Sequence, residues 1–316
     1  MRALLVGNYG VSNFGDDALR DYFLQAFPEV DWRVVSGHPG KGELPRLPAG
    51  IRSFLTFGWI RTLNAIRTAD AVVLGGGTLF TDIESPRACF MWWLYVCAAA
   101  LFGTPSFLAF QGIGPFVTVR GEQLARDAVR RAKFISVRDD ESARRASSLA
   151  PDKKVVQTFD PVFTLFEEEN DHHDTKKVLS IIPRHNSGKA FDDMVTREMQ
   201  KGWDAVKILS FESDDPAEQR VCARLQEMTQ AEIVPVRTVE DVKNALGDAW
   251  LVLTHRYHGA IAGLAMGKLV KVCSQAPGDK LEVIGRLCEE DDAGDRLRVL
   301  VRAGEQALRT ELGMLN

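Results

Sequence analysis

Short apolar runs rich in β-branched residues alternate with longer amphipathic stretches along nearly the whole chain. This alternation predicts β-α-β units and therefore parallel sheets. The strands predicted in the first half are Ala3–Val6, Trp32–Val35, Ala71–Leu74, Ser106–Phe110, Phe134–Val137 and Lys154–Thr158. Those predicted in the second half are Lys177–Ile182, Ala205–Ser210, Glu232–Pro235, Trp250–Leu253 and Leu269–Cys273. Helices predicted between them include Asp16–Phe27, Arg120–Arg131 and Asp139–Ser148.

A polar stretch from Phe166 to Lys177 divides the chain into two α/β halves. It has no apolar periodicity, which is typical of a solvated linker. The 316 residues suffice for two domains, since a domain commonly has about 150 residues. We expect Rossmann-like domains over residues 1–166 and 177–300, with parallel sheets facing a cleft. A final helix over 301–316 is expected, with packing against the N-terminal domain as one option.

Charge and cysteine content limit the classes of function. Lysine and arginine number 39 against 43 aspartates and glutamates, which gives a net charge of −4. Such a chain has no general attraction for nucleic acid, so we expect no nucleic-acid partner and a local site for any anion. The five cysteines are scattered without a C-x-x-C pair, which favours a reducing compartment and argues against a zinc site. The N-terminus MRALLVGNYG is unlike a signal peptide, so we expect a cytoplasmic protein without a bound metal.

One apolar segment, Cys89–Phe102, reads CFMWWLYVCAAALF and carries no charge. A membrane-spanning helix needs about 20 apolar residues, so a buried core helix is the favoured interpretation. The alternative is a helix that touches a partner chain or the inner face of a membrane, with Trp92 and Trp93 at the contact.

Glycine-rich loops follow predicted strands of the first half. The first, Gly7–Asp17, lacks the G-x-G-x-x-G spacing and the Gly-Lys-Ser/Thr ending of nucleotide-binding loops. Within it Asn13 is a candidate substrate ligand, and Asp16 is either a helix cap or a catalytic base. Gly76 and Gly77 in the second loop either form a tight turn or offer backbone N–H groups to an anion or a sugar hydroxyl.

Polar side chains also stand at the ends of predicted strands. Gln111 is expected to point into the same cleft as the glycine loops. Arg138 either reaches an anion there or pairs with a carboxylate of the neighbouring Asp139–Glu141 segment. Arg184 follows the first strand of the second half and is a further candidate for binding carboxylate or phosphate.

The densest polar cluster is Thr254–Ala260, which reads THRYHGA between a predicted strand and an apolar helix. Helix N-termini favour anions, and Arg256 and His258 add a cation and a proton donor. We therefore interpret the cluster as functional rather than as a core histidine with chance neighbours. Lys280 follows the next strand and is either a ligand at the same rim or a surface lysine.

Taken in order, these motifs resemble the bacterial polysaccharide pyruvyl transferases of the CsaB type. The matching segments are GNYGVSNFGDDAL (Gly7–Leu19), GGGTLF (Gly75–Phe80), QGIGP (Gln111–Pro115), SVRD (Ser136–Asp139), DP (Asp160–Pro161) and THRYHGAIAGLAMG (Thr254–Gly267). The resemblance implies two Rossmann-like domains in the GT-B arrangement. It also implies transfer of pyruvyl from phosphoenolpyruvate to two hydroxyls of a sugar, which forms a cyclic ketal on a cell-surface polysaccharide.

The resemblance further implies roles for single residues. Arg256 and His258 match the family's R-x-H pair, which contacts phosphoenolpyruvate, and Arg138 matches the arginine of its SVRD motif. Arg184 and Lys280 match less closely; the resemblance makes Arg184 a second phosphoenolpyruvate ligand and places Lys280 at the departing phosphate.

On this hypothesis His258 is the general acid that protonates the methylene carbon of phosphoenolpyruvate, and Asp16 is the candidate base. The implied partners are phosphoenolpyruvate as donor and a sugar or lipid-linked glycan as acceptor, with no cofactor. Other functions stay open: a GT-B glycosyltransferase that uses a nucleotide sugar, a non-catalytic two-lobed binding protein, or a degenerate pyruvyl transferase that acts in regulation or assembly.

Overall fold

The computed structural model describes residues 1–48, 50–83, 85, 87–166, 176–274, 280–290 and 293–314. The chain forms two compact units. Unit 1 comprises Met1–Val11, Leu19–Pro161 and Arg298–Asn316, and unit 2 comprises Ser12–Ala18 and Val162–Leu297. The predicted polar linker over residues 166–177 lies mostly outside the described residues.

The strands of unit 1 form one parallel sheet. They are β1 (Arg2–Val6), β2 (Asp31–Ser36), β3 (Leu44–Pro45), β4 (Ala71–Gly75), β5 (Ser106–Gln111), β6 (Phe134–Val137) and β7 (Val156–Gln157). Their order across the sheet is β3-β2-β1-β4-β5-β6-β7. Strands β4, β5 and β6 are buried at every residue, which explains why they read as continuous apolar runs instead of alternating ones.

Helices connect these strands. They are α1 (Phe14–Ala26), α2 (Ile51–Phe54), α3 (Trp59–Thr68), α4 (Ala88–Phe102), α5 (Val119–Arg131) and α6 (Asp140–Leu149). Thr118 caps α5 and Asp139 caps α6, because their side chains accept the N–H groups of Gly121 and Ser142. The first turn of α1 belongs to unit 2, and the rest of that helix belongs to unit 1.

Helix α4 holds the apolar segment that the sequence singles out. It buries Cys89, Trp92, Tyr95, Val96 and Ala99 in the core of unit 1, so the core-helix prediction is confirmed. Trp92 is 3% exposed and therefore cannot contact a membrane. None of the described helices is long and apolar enough to span a bilayer.

Unit 2 contains a second parallel sheet. Its strands are β8 (Val178–Ile182), β9 (Ala205–Ser210), β10 (Glu232–Pro235), β11 (Leu251–Thr254) and β12 (Leu269–Val272). The order is β10-β9-β8-β11-β12, and every described pair is parallel. The helices are α7 (Lys189–Met199), α8 (Pro216–Thr229), α9 (Val239–Leu246), α10 (Tyr257–Ala265) and α11 (Lys280–Leu287).

The last helix, α12, spans Ala293–Glu311. From Arg298 onward it belongs to unit 1. There the Tyr22 hydroxyl donates to Glu305 over 3.3 Å, and the guanidinium of Arg309 lies 4.6 Å from the ring centre of Phe27. Gly304 packs so closely on Phe110 that a Cβ at this position would come within 2.9 Å of the ring.

The prediction of an α/β fold with two parallel sheets is confirmed, and three predicted strands match to the residue: Phe134–Val137, Ala205–Ser210 and Glu232–Pro235. Strand β3 is missing from the prediction because two residues, one of them proline, carry no periodicity. Strand β7 covers only Val156–Gln157 of the predicted Lys154–Thr158, because it is an edge strand that pairs with β6 alone.

Candidate functional site

Three adjacent strands of unit 2 each deliver one charged residue at the same position past the strand end. Arg184, Glu212 and Arg256 stand two residues after β8, β9 and β11. The carboxyl ends of parallel strands meet at one edge of the sheet, which is where ligands bind in such folds. Sequence reasoning predicts the two arginines at this edge and misses Glu212, although the same strand-end rule applies to it.

Arg256 is buried and makes contacts with two carboxylates. Its Nε atom donates to the carbonyl of Pro183 over 2.9 Å, and its Nη2 atom donates to Glu212 over 2.8 Å. Nη2 also contacts Glu218, a carboxylate with no exposed surface. Glu218 accepts a further bond of 2.9 Å from the Ser210 hydroxyl. A single arginine thus connects the loops after three strands and offsets two negative charges.

Glu212 is the carboxylate whose pKa the basic side chains of this edge lower. Burial alone would raise its pKa, but the hydrogen bond and charge of Arg256, with the charges of His185 and Arg184, hold the pKa below its usual value. Glu212 is therefore ionised at neutral pH. Its other oxygen accepts the Asn13 amide over 2.9 Å, which ties the N-terminal segment of unit 2 to the loop after β9.

His258, in the first turn of α10, packs against the first turn of α1 within unit 2. A Cβ on Gly15 would lie 1.8 Å from the Nδ1 atom of His258, so only glycine permits this approach. The Asn13 side chain accepts the Gly15 N–H over 3.0 Å and so caps α1. Asp16 follows Gly15 inside the first turn and complements the helix dipole. Gly15 contacts His258, the predicted acid, and the next residue in α1 is Asp16, the predicted base.

His255 belongs to the same segment as His258, and Lys280 lies near this segment. The His255 ring is buried, stacks on Phe191 and forms a 2.7 Å hydrogen bond with the Ser187 hydroxyl, which is a structural arrangement. The Lys280 ammonium lies 5.4 Å from the ring centre of Tyr257, which directly precedes His258. The predicted lysine is thus close to the R-x-H pair. The residues 275–279 just before it lie outside the described part of the chain.

Within unit 1, the glycine loop after β4 is held by Gln111. Gly76 and Gly77 have φ values of 73° and 76°, in the left-handed region that favours glycine. Gln111 has no exposed surface and donates through Nε2 to the carbonyls of Leu74 and Gly76 over 2.9 and 3.2 Å. Its described contacts shape the loop; its role as a substrate ligand stays a prediction, as do those of the two glycines.

Arg138 is also buried within unit 1. Its Nη1 atom donates to Asp160 over 2.6 Å and its Nη2 atom donates to Thr78 over 2.7 Å. The two charged side chains are 2% and 0% exposed. The main carboxylate partner is thus Asp160 of the DP motif, while Asp139 lies 4.0 Å from Nε. Whether Arg138 also contacts substrate stays a prediction.

A metal has one candidate position among the described residues. Ligand atoms of His185, Glu212 and Asp215 lie within 4.8 Å of one another. Glu212 already pairs with Arg256, and Asp215 already caps α8 by accepting the Ala217 N–H. The neighbouring guanidinium groups also disfavour a cation, so we assign no metal to this position.

Solved structures of similar fold come from several bacteria. They include the Anabaena protein HepE in complex with UDP-glucose, at 11% identity and a TM-score of 0.58, with 100% of both chains covered. They also include the Neisseria meningitidis UDP-GlcNAc 2-epimerase bound to UDP-GlcNAc, at 12% identity and a TM-score of 0.61, with 99% of each chain covered. The S. aureus MnaA–UDP structure has 15% identity and a TM-score of 0.59, covering 100% and 98%. These likenesses define the fold alone, and it is GT-B-like.

The sequence itself matches a family. The family model for polysaccharide pyruvyl transferase covers residues 13–270. The chain therefore belongs to the polysaccharide pyruvyl transferase family, a family of enzymes. No protein among the curated sequences matches it. The match begins at Asn13, so it includes the first turn of α1 as well as the strand ends of unit 2.

Proposed function

We propose that this chain transfers the pyruvyl group of phosphoenolpyruvate to two hydroxyls of a sugar, forming a cyclic ketal and releasing phosphate. The observation that carries the proposal is the packing of His258 on Gly15, beside Asp16, at a strand edge that also bears Arg184 and Arg256. Membership of the family supports the same reaction class. The acceptor is a sugar of a polysaccharide or of its lipid-linked precursor.

The donor carries a carboxylate and a phosphate, so it needs cations at its two ends. We assign Arg184, which stands two residues after β8, and Lys280, whose ammonium lies 5.4 Å from the ring centre of Tyr257, to the two anionic groups. The N-terminus of α10 also faces this edge, and its N–H groups favour an anion. Arg256 is largely offset by Glu212 and Glu218, so we assign it first to holding the loop that presents His258.

The reaction then proceeds by proton transfer and two additions. His258 donates a proton to the methylene carbon, which becomes a methyl group and leaves positive charge at C2. The first sugar hydroxyl forms a bond to C2 and gives its proton to Asp16. The C2–O bond to phosphate then breaks, and phosphate departs with the electron pair, which renews the positive charge at C2. The second hydroxyl closes the ketal at C2 and gives its proton to the departing phosphate. Every atom is supplied by donor and acceptor, and the enzyme returns to its starting protonation after one proton exchange with solvent.

The direct test is incubation with phosphoenolpyruvate and a panel of sugars and lipid-linked sugars. We expect one acceptor to gain the mass of a pyruvyl ketal while free phosphate accumulates in equal amount. Phosphoenolpyruvate alone should also raise the melting temperature, as a ligand that binds only the folded state does. A chain stabilised by UDP-sugars and not by phosphoenolpyruvate would contradict the proposal and favour a nucleotide-sugar enzyme of the same fold. Phosphoenolpyruvate binding without turnover on any acceptor would favour a binding protein.

Gly15→Ala should lower the rate of phosphate release about 100-fold, because a misplacement of about 1 Å in a catalytic group commonly costs that factor. The added methyl group would meet the imidazole of His258, which must then move. The measurement is the rate with phosphoenolpyruvate and the acceptor at saturation.

Gly188→Ala is the matched control. Gly188 stands at the N-cap of α7 in unit 2, its φ is −114°, and no atom lies within 4 Å of an added Cβ. The control should keep full activity. Equal rates for Gly15→Ala and the wild type would contradict a role for the contact between α1 and His258.

A further inference from the structure

The segment between Glu43 and Asp70 has an unusual composition. It contains no aspartate, glutamate or lysine, and its charged residues are Arg46, Arg52, Arg61 and Arg67. In a chain of net charge −4 this is a locally cationic stretch. It includes α2, α3 and the turn between them.

The same segment exposes large apolar side chains. We name as the α2–α3 apolar surface the exposed residues Ile51, Phe54, Leu55, Phe57 and Ile60. Ile51 is 81% exposed and Leu55 is 63% exposed, and α2 buries none of its residues. Singly exposed apolar residues are common, but a run of five within one short segment indicates an interaction surface.

The apolar surface is an ordered arrangement. The ring of Phe54 stacks on Trp59 at 5.2 Å between centres, and the Trp59 indole N–H donates to the Phe54 carbonyl over 2.9 Å. Thr62, in α3, donates its hydroxyl to the Pro45 carbonyl over 2.5 Å and is fully buried. Phe54 is thus held in place by contacts to a helix that is itself anchored in unit 1.

A cavity of about 860 Å³ adjoins this surface within unit 1. Ile51 and Arg52 line it together with Arg87, Phe90, Arg120 and Leu124. The exposed Val117 and Val119 stand beside Arg120 in the chain. No carboxylate of the described residues pairs with Arg52, Arg87 or Arg120, and these three arginines line the cavity together with apolar residues. That combination fits an anionic group attached to apolar chains.

We propose that the α2–α3 apolar surface docks on an anionic lipid bilayer. The five apolar side chains enter the boundary between headgroups and acyl chains, and Arg52, Arg87 and Arg120 contact lipid phosphates. Aromatic and aliphatic side chains flanked by arginine are the composition that interfacial segments use. Charge complementarity selects a negatively charged membrane over a neutral one. The proposal does not depend on the reaction that the chain catalyses.

Vesicle flotation tests the proposal. We expect the protein to float with vesicles of equal parts phosphatidylcholine and phosphatidylglycerol, and to stay unbound with phosphatidylcholine alone. Arg52→Gln with Arg120→Gln should weaken binding roughly 25-fold, since each arginine near an anionic surface is worth about fivefold. Phe54→Ser with Phe57→Ser should weaken it at least about tenfold, because each ring would lose burial in lipid.

Matched controls come from exposed residues elsewhere. Arg33→Gln with Arg220→Gln removes two exposed arginines, and Trp250→Ser with Leu269→Ser removes two exposed apolar residues. Both should bind as the wild type does, and all variants should keep the wild-type melting temperature. Absence of binding to anionic vesicles, or equal binding to neutral ones, overturns the proposal. Loss of binding in the arginine pair alone also overturns it, because charge adsorption without insertion would then explain the result.

Discussion

His258→Asn should lower the rate of phosphate release from phosphoenolpyruvate by about 10²–10⁴-fold, the usual contribution of a general acid. Asparagine keeps polar atoms in the same space but cannot donate a proton to carbon. The packing on Gly15 is largely retained, so the melting temperature should change little.

A matched control distinguishes this role from a general need for histidine. His38 is exposed, lies in unit 1 and forms a hydrogen bond with the Gly10 carbonyl, so His38→Asn should keep full activity. Turnover by His258→Asn near the wild-type rate would rule out the acid role.

Arg256→Met should destabilise the protein by about 3–5 kcal/mol, because removal of one partner leaves a buried carboxylate without its counter-charge. The carboxylate concerned is Glu218, which has no exposed surface. The measurement is thermal and urea unfolding of the full chain. The double variant Arg256→Met with Glu218→Met should recover most of the stability, because an apolar pair of similar volume often replaces a buried ion pair without loss.

The pH dependence of stability gives a second readout of the same network. Burial acts to raise the pKa of Glu212, but the hydrogen bond and the charge of Arg256 outweigh it and lower the pKa in the folded protein. A carboxyl whose pKa is lower in the folded than in the unfolded state stabilises the folded protein at a pH above its unfolded-state pKa. That contribution is lost as the pH falls through its folded-state pKa. Arg256→Met should therefore flatten the loss of stability on acidification. A variant that keeps wild-type stability but needs far more phosphoenolpyruvate would show instead that Arg256 serves the donor first.

Strand positions were predictable where burial on both faces produces unbroken apolar runs, as in β4, β5 and β6. The candidate site was predictable only as a set of strand ends. Each strand-end residue is visible in the sequence, but its partner is not, because Arg138 and Asp160, or Arg256 and Glu218, are far apart in the chain. A guanidinium that binds substrate and one that pairs with a buried carboxylate have the same sequence context. Only the packing of the folded chain distinguishes these two kinds of arginine.

The first turn of α1 belongs to unit 2, although Leu19–Pro161 of unit 1 lies between this turn and the rest of unit 2 in the chain. During synthesis Ser12–Ala18 therefore leaves the ribosome long before the residues it packs on. Neither the Asn13–Glu212 bond nor the contact of Gly15 with His258 can form until the C-terminal half has emerged. For the same reason, a fragment that starts at Val162 would lack a structural part of its own unit. His258, the proposed acid, and Asp16, the proposed base, come together only after translation is nearly complete, so we expect an unfinished chain to be inactive.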